Sequence, residues 1–255
     1  MSNTTPGRRG RASSLSLVAA LALVLGPPLA WSGAVDTEKT APSAHALSTK
    51  QQAIVPIAAA MALGNTSQLD VALSQGLDAG LTVSEVREVL VQLYAYTGFP
   101  RSLNALGQLM KVLDARKQRG IQDAAGREPS ALPRDTDMLA LGTSNQTKLV
   151  GVPVKGPLFD FAPAIDDFLK RHLFGDIFAR DNLDWQSREL ATVGALAAMP
   201  GVESQLQSHI AVSLNVGLTA AQLRQLAAVL GEAGQADAAA RTRVALERHL
   251  ASPAK

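Results

Sequence analysis

The sequence predicts an all-α protein built from two tandem helical repeats. Apolar residues recur at helical spacing along most of the chain after residue 47, with no convincing strand pattern between them, and one 31-residue stretch occurs twice. Segments with apolar faces of helical period bury those faces by packing helix against helix. We therefore expect two similar helical units in tandem.

The two copies of the stretch are separated by 137 residues and align without a gap. Residues 63–93 lie over residues 200–230, with ten identities in 31 positions. The identical positions in the first copy are Gly64, Ser67, Gln68, Leu69, Leu77, Gly80, Leu81, Thr82, Arg87 and Leu93. We assign residues 47–113 to the first repeat and residues 158–250 to the second.

Each copy carries the same helix signals in the same order. An alanine-rich helix is followed by a second helix, which we expect to end just before Gly80 and its counterpart in the second repeat. Thr82-x-x-Glu85 and Thr219-x-x-Gln222 then match the capping box, in which the threonine and the later side chain satisfy free amide groups. A third helix should therefore begin after each threonine.

Residues 114–157 form a polar connector that is rich in glycine and proline. We expect it to be ordered, because it also carries apolar side chains that can be buried. These are Leu139, Leu141, Leu149, Val150, Val152 and Val154.

Five of the six phenylalanines lie between Phe159 and Phe178, at the start of the second repeat. One interpretation is a helix that packs aromatic rings into the core. The other is an aromatic wall that faces a substrate or another subunit.

The N-terminal segment is typical of a secretory signal peptide. Three arginines precede the apolar run LSLVAALALVLG, which ends at two prolines and a stretch of small residues. This run is too short to span a bilayer comfortably, so we expect no stable membrane anchor after cleavage. We place cleavage after Ala34, with Ala46 as the alternative, so that residues 1–34 are the signal peptide and residues 35–46 a flexible leader. The mature protein should be exported, either periplasmic or secreted, and the paired arginines leave the export route open.

Charge and cysteine content exclude several classes of function. Removal of residues 1–34 leaves 21 basic against 22 acidic side chains, a net charge of −1, so we expect no nucleic-acid partner. The chain has no cysteine, which excludes disulfide bonds, thiolate catalysis and cysteine metal ligands.

Three stretches together resemble the carboxymuconolactone decarboxylase family, which shares its helical fold with the alkylhydroperoxidase D proteins. They are FGDIFARDNLDWQSRELATVGALAAM, QLQSHIAVSLNVGLT and REVLVQLYAYTGFPRSLNAL. The resemblance covers both repeats, and the connector resembles that of exported members with tandem domains. Because single-repeat relatives build symmetric oligomers, the resemblance also implies self-association, and we expect a trimer of two-repeat chains.

The two repeats depart from the family pattern in complementary ways. The second repeat keeps Arg188, Glu189 and His209, whereas the first has Gln51, Gln52 and Ala72 at those positions. Only the first repeat keeps the aromatic, glycine and proline signature that follows, which comprises Tyr94, Tyr96, Gly98, Phe99, Pro100, Arg101 and Asn104. We therefore expect one composite site per chain, with groups from both repeats.

The resemblance also bears on the chemistry of this site. In the peroxidase branch it implies a redox pair at Val202 and Gln205, with the histidine at His209 and the glutamate at Glu189. Here the glutamate and histidine are present but the sulfur atoms are absent. Peroxide reduction and disulfide reduction are therefore disfavoured, because both need a thiolate.

A glutamate and histidine pair can transfer protons without a cofactor. Together with the family resemblance, which implies a small carboxylated lactone or keto acid as substrate, this pair predicts a cofactor-free lyase or isomerase with His209 and Glu189 as catalytic residues. Arg188, Arg180 or Arg101 could bind the substrate carboxylate through paired hydrogen bonds. Tyr96 and Asn104 are further candidates for substrate binding.

Structural explanations remain open for each of these residues. A lone helical histidine is often structural, and Arg188 and Glu189 could be first-turn residues that follow an Asp184 cap. Tyr96 and Asn104 could serve packing and hydrogen bonding. The alternative function is thus a non-catalytic module for ligand binding or assembly. We expect no metal site, because His209 has no second histidine one helical turn away.

Overall fold

Helices form the regular structure of residues 46–252, the part of the chain that the computed structural model describes, and no strand occurs in that range. The helices in chain order are α1 (Thr49–Leu63), α2 (Thr66–Asp78), α3 (Val83–Gln92), α4 (Tyr94–Thr97), α5 (Phe99–Gln118), α6 (Met138–Val150), α7 (Pro157–Phe161), α8 (Pro163–Phe168), a π-helical segment (Leu169–Ile177), α9 (Trp185–Ala198), α10 (Glu203–Asn215), α11 (Ala220–Glu232) and α12 (Ala236–Ala251). The all-α prediction is confirmed. The predicted signal peptide and all but one residue of the predicted leader lie outside the described residues.

The helices repeat in the predicted order. Helices α1, α2, α3 and α5 of the first repeat correspond to α9, α10, α11 and α12 of the second. The bounds of α2 and α10 differ by 137 residues at both ends, which is the spacing of the sequence repeat. Helix α5 runs to Gln118 and so extends past residue 113, the predicted end of the first repeat.

Both predicted capping boxes are present. The amide of Thr82 donates to Glu85 Oε2 at 2.7 Å, and the amide of Thr219 donates to Gln222 Oε1 at 2.8 Å. Each threonine hydroxyl accepts from the amide three residues later, and α3 and α11 begin directly after these residues. The same local signals therefore start the third helix of each repeat.

The two alanine-rich helices, α1 and α9, pack against each other at the centre of the fold. Small residues permit this close approach. A Cβ atom at Gly194 would lie 3.1 Å from the carbonyl oxygen of Val55 and 3.3 Å from the Cβ of Ala58. The core around this contact includes side chains of both repeats, so the repeats share one apolar interior.

The predicted connector is partly helical and packs against the second repeat. Helix α6 contacts the π-helical segment, and Leu149 is fully buried there, whereas Val152 is exposed. The phenylalanine run divides in two. Phe174 and Phe178 join a small core with Leu149, while Phe161 and Phe168 are exposed.

No helix within residues 46–252 has the length and apolar character that a membrane span requires. The predicted trimer and the predicted export remain predictions, because both concern features beyond a single chain or beyond the described range.

A glycine substitution tests the contact between α6 and the π-helical segment. A Cβ atom at Gly142 would lie 1.7 Å from the backbone oxygen of Lys170, so Gly142→Ala must push two backbones apart. We expect a loss of about 1–3 kcal/mol in the free energy of unfolding. Gly107→Ala is the matched control, because a Cβ there meets nothing within 4 Å. In helix α5 this change should stabilise by about 0.5–1 kcal/mol. Urea unfolding measures both values, and equal effects would contradict the close packing of α6.

Candidate functional site

Helices α9 and α10 bring Glu189 and His209 together. Asp184 caps α9 by accepting a hydrogen bond from the amide of Ser187 at 2.7 Å, which puts Glu189 one turn into the helix, facing α10. The Nδ1 atom of His209 lies 2.7 Å from Glu189 Oε2. The glutamate side chain is 1% exposed and the histidine side chain 15% exposed. A buried carboxylate thus holds an imidazole that reaches the surface.

This contact fixes the orientation and tautomer of the imidazole. Because the carboxylate can only accept, we assign the proton of the contact to Nδ1 of His209. The other ring nitrogen, Nε2, is then the atom that can exchange a proton with a bound molecule. The second carboxylate oxygen of Glu189, Oε1, is buried and has no hydrogen-bond partner within residues 46–252.

Tyr96 reaches this pair from the first repeat. Its ring meets the His209 ring edge-on, with 5.4 Å between the ring centroids, and its hydroxyl is buried beside Thr192. Burial and the Glu189 carboxylate raise the pKa of Tyr96 above its ordinary value, although nearby Thr192 and Arg188 oppose the shift. The phenol therefore stays protonated and can act as a donor. The structure brings together Glu189, His209 and Tyr96, from both repeats.

Arg188 points away from this group, into the contact between α9 and α3. Its guanidinium donates to Glu88 Oε1 at 2.8 Å and to Gln92 Oε1 at 2.9 Å, and the residue is 0% exposed. The structure therefore does not place it where a substrate carboxylate could reach it. Arg188 is explained instead as a buried arginine that joins the two repeats.

Arg180 belongs to the same ion cluster, at its edge, with a side chain that is 37% exposed. Its Nε donates to both oxygens of Glu88, at 2.9 and 3.0 Å. Burial acts to raise the pKa of Glu88, but the Arg180 hydrogen bond and the Arg188 charge outweigh it and hold that pKa below its ordinary value. One carboxylate from the first repeat thus binds two arginines from the second. Arg180, like Arg188, is paired with Glu88 and not placed beside His209.

The spacing of three polar residues on α3 could have indicated this cluster, but the prediction of that helix from the sequence rested on its apolar residues. Ser84, Glu88 and Gln92 lie at i, i+4 and i+8 on α3, and all three are buried. Buried polar side chains in a stripe beside the apolar residues of a helix need internal polar partners. Arg188 and Thr192 supply them at i and i+4 on α9, since Gln92 Nε2 donates to Thr192 Oγ1 at 2.9 Å.

Arg101 and Asn104 lie together at a separate cavity of about 160 Å³, beside the end of α1. The Arg101 guanidinium covers Gly64, where an added Cβ would overlap its Nη1 atom. A positive charge at this point is favourable, because the carbonyl end of α1 is negative. The structure thus does not bring the predicted substrate-binding residues Arg101 and Asn104 to His209.

Val202 and Gln205, the positions at which the resemblance implied a redox pair, lie near the start of α10. Val202 precedes the helix and is partly buried, and Gln205 is exposed. Within residues 46–252, no three histidine, aspartate or glutamate side chains cluster in a way that could hold a metal ion. Proton transfer is the chemistry for which the groups around His209 are suited.

Comparison with known proteins assigns the chain to a family. The sequence pattern of the carboxymuconolactone decarboxylase family matches residues 33–110 and 163–248. The chain is also 32% identical, over 69 residues, to a 4-carboxymuconolactone decarboxylase of Acinetobacter baylyi (strain ATCC 33305 / BD413 / ADP1). That alignment covers 27% of this chain and 51% of the relative, so the chain spans about half the length of the relative it matches. Since the two family matches together cover more than half of the chain and each falls on one helical repeat, the protein belongs to the carboxymuconolactone decarboxylase family.

Proposed function

We propose that this protein is a cofactor-free lyase or isomerase that acts on a small carboxylated lactone or keto acid by proton transfer. The observation that carries the proposal is the 2.7 Å contact between Glu189 and His209, with the carboxylate buried and the imidazole at the surface. The similarity to a protein named 4-carboxymuconolactone decarboxylase supports the choice of substrate class.

The proposed lyase reaction needs one well-placed acid. The bond between the substrate and its carboxylate breaks, carbon dioxide leaves, and the bonding electrons pass into the conjugated carbonyl system of the ring. His209 then donates the Nε2 proton to carbon and becomes neutral, and solvent restores the proton. Glu189 stabilises the protonated imidazole through Nδ1, as a carboxylate does for a general acid and base histidine.

The isomerase variant uses the same groups in a different order. Neutral His209 removes a proton from the carbon next to a carbonyl and returns it to another carbon. In both reactions negative charge develops on a carbonyl oxygen. The Tyr96 hydroxyl is buried and does not reach that oxygen. Its ring instead packs edge-on against the imidazole and holds His209 in position for both reactions.

A substrate screen tests this function. Protein without residues 1–34 is incubated with carboxylated lactones, keto acids and organic hydroperoxides, and turnover is followed by ultraviolet absorbance and carbon dioxide release. We expect turnover of a lactone or keto acid and none of a hydroperoxide. Turnover of a hydroperoxide alone would overturn the proposal, and so would binding without turnover across the whole panel.

The second candidate is a non-catalytic ligand-binding module of the same fold. It is favoured by the positions of Arg188, Arg180 and Arg101. None of these three arginines, which were expected to hold a substrate carboxylate, contacts His209. Binding of a carboxylated lactone with no loss of substrate over hours would support it.

A further inference from the structure

An open cavity of about 480 Å³ lies between helices α1 and α2 of the first repeat and the turn between α11 and α12 of the second. Helices α1 and α2 contribute Pro56, Ala60 and Ala72, and the segment after α11 contributes Ala233 and Gln235. Ala60 and Ala72 are buried, at 2% and 5% exposure, so they form its floor. The cavity is distinct from the surface that His209 reaches.

Comparison of equivalent positions in the two repeats explains why this cavity is present. At the 137-residue spacing Ala72 corresponds to His209, and counting on from the aligned stretch Ala233 corresponds to Tyr96. In the site described above, a tyrosine of the first repeat packs on a histidine of the second. At this cavity the second repeat supplies Ala233 and the first supplies Ala72. The cavity is therefore the counterpart of the catalytic candidate, with its imidazole and phenol replaced by methyl groups.

The counterpart of Glu189, the third residue of the candidate site, also differs in the first repeat. Gln52 stands where Glu189 stands in the second repeat, and its side-chain amide donates to the carbonyl of Leu47 at 2.8 Å. Proton-transfer chemistry of the kind proposed for His209 thus has no counterpart here. The cavity that remains beside Ala72 can therefore bind a molecule but cannot transfer a proton in this way.

The lining of the cavity determines which molecules fit. Its walls combine methyl and methylene groups with the neutral side chains of Ser67, Gln68, Gln75 and Gln235. A hydrogen bond from Gln235 Nε2 to Gln68 Oε1 links the two repeats across it. Such a mixture of an apolar floor and a few polar groups is typical of small-molecule sites.

The charge of the residues that line the cavity further limits the class of molecule that can bind there. Glu232 is the one charged residue among those that line the cavity, and it lies at the C-terminal end of α11, where the helix dipole is also negative. Pro56, which also lines the cavity, has no amide proton and so offers no donor to an anion. The cavity thus favours a ligand that is positively charged and donates hydrogen bonds, and it repels a carboxylate.

We propose that this cavity is a second, non-catalytic binding site for a small apolar molecule that carries an amino group. It selects a charge opposite to that of the carboxylated substrates assigned to His209. The two repeats have then diverged into a proton-transfer site and a binding site of reversed charge preference.

Calorimetric titration at pH 7 with three probes of equal ring size tests the proposal. We expect benzylamine to bind, benzyl alcohol to bind more weakly, and benzoate to bind at least tenfold more weakly than benzylamine. Glu232→Gln should remove most of the preference for benzylamine over benzyl alcohol. Glu247→Gln, which changes another exposed glutamate of the second repeat, should leave that preference intact.

Substitutions that fill the cavity with a larger side chain test whether benzylamine binds there. Ala72→Leu and Ala233→Leu should each lower benzylamine affinity at least tenfold, and the partly exposed Ala233 position tolerates the larger side chain even if Ala72→Leu folds poorly. Loss of benzylamine binding in His209→Gln, with binding kept in Ala233→Leu, would put the probe at the other site and overturn the proposal. Equal affinity for benzoate and benzylamine, or no binding of any probe, would also overturn it.

Discussion

Replacement of His209 by glutamine is expected to lower kcat by about 10²–10⁴, the usual contribution of a general acid or base. The glutamine amide can still donate to Glu189 Oε2, so the buried carboxylate keeps a partner. The free energy of unfolding should therefore change by less than about 1 kcal/mol. Steady-state kinetics on the substrate found by screening, with thermal unfolding of the same preparation, measures both effects.

His172→Gln is the matched control for this experiment. His172 makes the same kind of contact, with Nδ1 2.7 Å from Asp176 Oδ2, but the two side chains are 45% and 53% exposed. We expect neither turnover nor stability to change. If His209→Gln keeps its turnover, or unfolds at a much lower temperature than His172→Gln, His209 is structural and the proposed mechanism is wrong.

Local signals made the fold predictable from the sequence. Capping boxes, glycines past helix ends and apolar periodicity act within one or two turns of helix, and the second copy of each signal supports the first. The first residues of α3 and α11 follow directly from Thr82 and Thr219. The helices inside the connector were less predictable, because their packing depends on distant partners.

The contact between Glu189 and His209 agrees with the sequence prediction, whereas the expected role of Arg188 does not. Neighbouring residues of a helix point about 100° apart, so one of two adjacent side chains on α9 faces α10 and the other faces α3. Which of them faces the site depends on the packing of α9, a property of the tertiary structure. The cavity beside Ala72 depends in the same way on a residue of the other repeat, Ala233.

Glu88→Gln is expected to cause the largest loss of stability, about 3–5 kcal/mol, because it leaves Arg188 buried without its counter-ion. Arg188 is 0% exposed, and Glu88 is its only charged hydrogen-bond acceptor within the described residues. The matched control is Glu247→Gln, which breaks an ion pair with Arg224 whose side chains are 61% and 53% exposed. That change should cost less than about 1 kcal/mol. Equal losses in urea unfolding would show that the buried cluster adds little.

Acid titration should bring wild type and Glu88→Gln to the same stability. The pKa of Glu88 is lowered in the folded chain, so its contribution is fully present above the ordinary carboxyl value of 4.5 and is lost as pH falls through the folded pKa. Protonated Glu88 is neutral, as glutamine is, and Arg188 then lacks a counter-ion in both proteins. The difference in free energy of unfolding should therefore be constant from pH 7 to about 5 and shrink below it. A difference that is unchanged at pH 3 would mean that shape, rather than charge, makes Glu88 important at the contact between the two repeats.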